Sequence, residues 1–122
     1  MKGQISIPWP YEGLSPNDRS HWRAKARATK AYRFAASMLA REAGWLGAQI
    51  CALEVTFCPP SGWRTGDMDN LISRFKAAQD GLADALGIND RAMRLTYAMG
   101  ERCKGGAVVV RIPVAGSVEP MP

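Results

Sequence analysis

The run from Gln49 to Cys58, closed by Pro59-Pro60, constrains the fold of this chain more than any other segment. Cys51, Leu53, Val55 and Phe57 fall on one side of it, and Ala52, Glu54 and Thr56 on the other. A period of two is the signature of a strand with one buried face. Proline has no N–H for a ladder, so the doublet ends the strand. The same alternation recurs twice. Ile5, Ile7 and Trp9 mark a strand from Gln4 to Trp9, and Met93, Leu95, Tyr97 and Met99 mark one from Arg91 to Met99. Ala107 to Val114 is a further strand, apolar in part on both faces. Two stretches change to helical spacing. The first is capped by Ser20 and runs to about Ala43, where Gly44 closes it; Ala26, Tyr32, Phe34, Ala35, Met38 and Leu39 supply its apolar surface. The second runs from about Met68 to Leu86 and stops at Gly87. The order β-α-β-α-β-β predicts an α+β domain with a mixed sheet and helices packed on it. That domain is expected to span residues 1–115, with a flexible tail over 116–122.

Composition narrows the class. At 122 residues and 47% hydrophobic, the chain is one domain's worth and can bury a core without a disulfide or structural metal. No apolar run reaches the ~18 residues of a membrane span. The N-terminus breaks at Pro8 without an apolar core segment, unlike a signal peptide. Cys51, Cys58 and Cys103 are odd in number and form no CxxC, which suits a reducing interior. A soluble cytoplasmic protein is expected.

The net charge of +5 is unevenly distributed. Asp18 to Glu42 holds seven Lys/Arg (Arg19, Arg23, Lys25, Arg27, Lys30, Arg33, Arg41) against two acids. Asp67 to Asp90 holds five aspartates against Arg74 and Lys76. The basic segment suggests a polyanion partner and the acidic one a cation site. On a helical wheel, Asp69, Ser73, Lys76 and Asp80 lie within about 60° of one another, opposite the stripe of Leu71, Phe75, Ala78 and Leu82. Asp67 precedes this helix, and Asp90 follows it. Carboxylates with a neighbouring lysine suit a hard divalent cation, which takes one or two carboxylates plus water and phosphate oxygens. The same residues also have a purely structural reading. Asp67 can cap the helix, Asp69 can sit favourably in its first turn, Lys76 and Asp80 can form a surface i,i+4 pair, and Asp90 can be a turn residue. The lone His21 and the scattered cysteines lack zinc-ligand spacing.

Asp67-Met68-Asp69-Asn70, a lysine four residues before Asp80-Gly81-Leu82, and Gly87-Ile88-Asn89-Asp90 ahead of a strand resemble the RusA-type Holliday-junction resolvases. Ile7-Pro8-Trp9-Pro10, Pro16-Asn17-Asp18-Arg19 and Lys104-Gly105-Gly106 extend the resemblance over most of the chain. It implies a Mg²⁺-dependent endodeoxyribonuclease (Mn²⁺ substituting) that acts as a homodimer. Its substrate would be the four-way DNA junction, cut symmetrically on two strands. Asp67, Asp69 and Asp90 would be the metal-binding carboxylates and Lys76 the essential lysine. Asn70 would be a supporting neighbour and Asp80 a further acid on the lysine's face. Two features depart from the pattern. Lys76 stands about three residues further from the Asp-Asn pair, and Asn89-Asp90 stands where the family often has two adjacent acids.

Arg19, Arg23, Arg27 and Lys30 recur at spacings of four, four and three, which places them on one helical face. With Lys25, Arg33 and, in the loop before Asp67, Arg64, they form the expected DNA-binding set, able to neutralise phosphates without reading bases. Trp22 and Trp63 either stack on an unpaired base or pack internally. A second function class also fits: a non-catalytic prophage DNA-binding or regulatory protein that uses the aspartates only as caps and surface pairs. A related metal nuclease acting on flaps or RNA is a third.

Overall fold

The structure is a computed structural model and describes residues 1–10, 14, 22–63 and 68–113. Its elements are β1 (Gln4–Pro8), α1 (Trp22–Glu42), β2 (Ala52–Cys58), α2 (Met68–Leu86), a 3₁₀ turn (Asp90–Ala92), β3 (Arg94–Met99) and β4 (Ala107–Arg111). The four strands form one sheet in the order β1-β4-β2-β3. β4 is antiparallel to both of its neighbours, whereas β2 and β3 are parallel. The sheet is therefore mixed and the domain α+β, as the element order predicted.

Alternation set the buried face. Ile5 and Ile7, Leu53, Val55 and Phe57, and Val108 and Val110 are all buried. They meet Leu71, Phe75, Ala78, Leu82 and Leu86 of α2 and Tyr32, Ala36 and Ala40 of α1. Phe57 is the hub: Trp9 and Phe75 meet it edge-on, and Tyr97 stacks on it at 6.0 Å with ring planes 4° apart. Polar positions of the same strands occupy the open face, where Arg111 pairs with Glu54.

Three local expectations are corrected. Phe34, assigned to the apolar surface of α1, is 66% exposed, and Met38 is 38% exposed. The buried stripe is Tyr32–Ala36–Ala40, where small side chains bring the helix close to its neighbours. The strand expected from Arg91 begins only at Arg94, because Asn89 accepts a hydrogen bond from Arg91 N–H (2.9 Å) and closes the 3₁₀ turn. Cys51 does not join the buried face and is exposed, since β2 starts one residue later.

Backbone hydrogen bonds fix the direction of the helices. Lys2 N–H donates to the Ala43 carbonyl at 2.8 Å, and Gln49 N–H to the Leu86 carbonyl at 2.9 Å. Both helices therefore end where β1 and β2 begin. Their N-termini, the end of β2 and the β3–β4 loop all lie at the opposite end of the sheet. Trp45, after α1, is fully buried, and its indole N–H donates to the Lys2 carbonyl at 2.7 Å.

Candidate functional site

α2 buries Leu71, Phe75, Ala78 and Leu82, which turns Lys76 and Asp80 outward. Gly87, at φ +74°, ends the helix; its N–H and that of Ile88 both donate to the Ala83 carbonyl. The chain then folds back through Asn89, and Asp90 comes to lie beside the second half of α2. Lys76 Nζ donates to Asp90 Oδ2 at 2.7 Å and to Asp80 Oδ1 at 3.0 Å. Three residues of the sequence motif thus share one charge cluster, with Lys76 and Asp90 14 positions apart. The return runs through Ile88, Asn89 and the 3₁₀ turn.

The cluster stabilises its own ionisation. The hydrogen bond to Asp90 raises the Lys76 pKa above 10.5; burial opposes it, and the bond to Asp80 adds to the rise. The hydrogen bond from Lys76 holds Asp90 below its ordinary value of 3.8. At neutral pH the lysine is a cation and hydrogen-bond donor, not a base. Tyr97 on β3 is the near neighbour that sequence reading missed. Burial pushes its hydroxyl pKa up, and the Lys76 charge opposes that shift. Its position in the alternation of β3 marked it as half-buried, but only the parallel pairing of Val55 with Tyr97 sets it against Phe57 and α2.

A second charge pair borders the cluster. Arg33 donates from Nε and Nη2 to the two carboxylate oxygens of Asp84, at 2.7 and 2.9 Å. Arg33, expected in the DNA-binding set, thus has an acidic partner and bridges the two helices. Gly81 permits the approach. A Cβ there would lie 2.1 Å from the Arg33 carbonyl oxygen and 3.1 Å from Ser37 N. Arg33, Asp80, Ala83, Asp84, Ile88, Asn89 and Asp90 line an open cleft of about 360 Å³.

Asp69 and Asn70 lie in the first turn of α2, and each has an interaction partner. Asp69 is seven residues before Lys76, about 10.5 Å along the axis, and the Lys76 ammonium reaches the other way, toward Asp80. Asp69 and Asp90 are therefore not brought to one point. Among the described residues no three His, Cys, Asp or Glu side chains gather into a metal-binding group. The carboxylates that do converge, Asp80 and Asp90, provide the oxygen donors a hard cation prefers, and Lys76 supplies the positive charge between them. Asp67, Arg19, Arg64, His21, the Ser20 cap and the tail over 116–122 lie outside the described residues.

Arg23, Lys25, Arg27 and Lys30 occupy the first half of α1. The Arg23 guanidinium lies 5.2 Å from the centre of the exposed Trp22 ring. Trp22, Lys25, Ala26, Thr29, Lys30 and Arg33 line a groove of about 480 Å³. Trp63 packs edge-on against Trp9 at 5.6 Å, which favours its internal role. Among the described residues, no helix is long and apolar enough to cross a membrane.

No family model matches the chain. The chain is similar to an "Uncharacterized protein" of Xylella fastidiosa (strain Temecula1 / ATCC 700964), with 44% identity over 92 residues. That match covers 71% of this chain and 60% of the relative, so the chain spans about three-fifths of the length of the curated protein it matches.

Proposed function

We propose that the protein is a divalent-metal-dependent, structure-selective DNA endonuclease that resolves four-way junctions by paired phosphodiester cleavage. One observation carries the reading: Lys76 is held between Asp80 and Asp90, which joins two separated parts of the motif that resembles the RusA-type resolvases, the lysine with its Asp-Gly-Leu and the Asn-Asp before the strand. The resemblance assigns metal holding to Asp67, Asp69 and Asp90. Asp80 and Asp90 are the carboxylates that converge, so a metal at this cluster would be held by Asp90 with Asp80, while Asp69, two turns away on α2, stands as the resemblance implies, as does Asp67. Bound Mg²⁺ would polarise a phosphoryl oxygen and acidify a water molecule. The chain's own groups orient and neutralise. Lys76, kept protonated, donates to a phosphate oxygen once a substrate competes with its carboxylates. Asp90, kept ionised, remains available as an oxygen donor. Asn70 supports the first turn, and Arg23, Lys25, Arg27 and Lys30 neutralise backbone phosphates.

Two symmetric cuts call for two sites related by a two-fold axis, so a homodimer belongs to this reading. Free cysteines and the absence, among the described residues, of a membrane-crossing helix support a cytoplasmic setting.

A synthetic four-way junction tests the proposal. Paired nicking is expected with Mg²⁺ or Mn²⁺ and not with EDTA. Asp69→Asn and Asp90→Asn should abolish cutting while junction binding persists. Full cleavage by both variants would sink the assignment. Binding that persists in a protein with no metal-dependent cleavage would favour the non-catalytic DNA-binding alternative.

A further inference from the structure

We propose that the loop joining β3 to β4, with Arg102 and Lys104 at its tip, is a second phosphate-contacting surface for a duplex arm of the DNA. This rests on the DNA-binding part of the function proposed above and extends it to residues outside the basic helix.

The position of the loop follows from the topology. β3 is parallel to β2, so the loop leaves the sheet at the end where β2 stops and both helices begin. Arg102 and Lys104 therefore share that end with Arg23, Lys25 and Asp69, although about 80 residues separate the two basic groups in sequence. A protein gripping a duplex across this end would meet cations from both.

The loop is built to hold its shape. Cys103 N–H donates to the Pro59 carbonyl at 3.0 Å, and Gly106 N–H to the Cys103 carbonyl at 3.1 Å. Gly106, at φ +74°, is pressed so closely that a Cβ would lie 2.9 Å from Pro60 Cδ and 3.0 Å from Trp9 Cβ. Trp9 is itself braced by Phe57 and Trp63. Arg102 Nη1 donates to the Pro60 carbonyl at 3.1 Å, which directs the guanidinium without neutralising it. Gly105, at φ +76°, has nothing within 4 Å of its Cβ position, so a phosphate can approach its backbone. Pre-ordering of this kind lowers the entropy lost on binding.

Charge separates this loop from the cations that the acidic residues already hold. Arg33, Lys76 and Arg111 are all paired with carboxylates. Arg102, Lys104 and neighbouring Glu101 form no ion pair among the described residues. The two cations line an open cleft of about 600 Å³ with Pro60, Ser61, Cys103 and Gly105, and none of these lining residues is acidic.

The test measures binding of a junction and of a plain duplex in EDTA over a range of salt. Each lost phosphate contact reduces the slope of log affinity against log salt by about 1. The Arg102→Gln/Lys104→Gln double variant should lose about 2 from that slope and bind about tenfold or more weakly at moderate salt. Lys104→Gln alone, which leaves the Arg102–Pro60 bond intact, should lose about 1. Arg111→Gln, whose cation is already neutralised by Glu54, should leave the slope unchanged. Wild-type slope and affinity in the double variant would overturn the proposal and leave the endonuclease reading standing. Equal losses in Arg111→Gln and the double variant would also overturn it, because net charge alone would then account for the effect. Failure of the wild-type protein to bind either DNA would overturn both readings.

Discussion

Replacing Gly81 by alanine sets two physical rules against each other. Alanine is about 1 kcal/mol better than glycine in a helix interior, so helix propensity alone makes Gly81→Ala stabilising. The tertiary structure reverses the sign. The new Cβ would lie 2.1 Å from the Arg33 carbonyl oxygen, and the contact must open to at least 3.4 Å for ordinary packing. The obstacle is the backbone of α1, so no side-chain rotation relieves it. Overpacking of this kind costs about 1–3 kcal/mol, and parting the helices also loosens the Arg33–Asp84 bridge. After subtracting the propensity gain, the expected net loss is up to about 2 kcal/mol, or up to roughly 10 °C in Tm for a domain of this size. Differential scanning calorimetry measures it directly. Ser73→Ala, on an exposed position of the same helix, isolates propensity and should stay within about 0.5 kcal/mol of wild type. A Gly81→Ala protein that melts at or above the wild-type temperature would refute the close-crossing argument.

Other outcomes follow from the same geometry. The Lys76–Asp90 pair is fully formed above the ordinary Asp value of 3.8 and is lost as pH falls through the lower folded value; at high pH it persists past 10.5 and is lost only as Lys76 deprotonates above that. Carboxyl-carbon NMR should therefore show Asp90 titrating below 3.8, and Lys76→Met should move it back up; an unmoved midpoint would remove the pair from solution. A double-mutant cycle on Arg33 and Asp84, each about half exposed, should give a coupling of about 0.2–1 kcal/mol, and zero coupling would mean that the bridge contributes nothing measurable. Phe34→Ser should change stability by less than about 0.5 kcal/mol because the ring is 66% exposed. A loss of several kcal/mol would show that Phe34 is covered in solution. Trp45→Phe removes the donor to the Lys2 carbonyl inside the core and should cost about 1–3 kcal/mol, read from urea denaturation.

The sequence by itself determined the elements and their buried faces, because period-two and helical spacing record which side of each segment must leave water. Ile5 and Ile7, the Leu53–Val55–Phe57 row and the Leu71–Phe75–Ala78–Leu82 stripe were all legible for that reason. It also marked Lys76, Asp80 and Asp90, together with Asp67, Asp69 and Asn70, as one set. It could not report where β4 inserts between β1 and β2, because strand pairing is a long-range choice that leaves little trace in local periodicity. It could not distinguish Phe34 from Tyr32 on α1, because α1 is apolar over more of its surface than its neighbours cover. Only the tertiary structure closed Asp90 onto Lys76 and kept Asp69 two turns away. Only the close crossing at Gly81 turned Arg33 from one more cation in a basic stripe into the partner of Asp84, since pairing depends on which backbones approach and not on residue type.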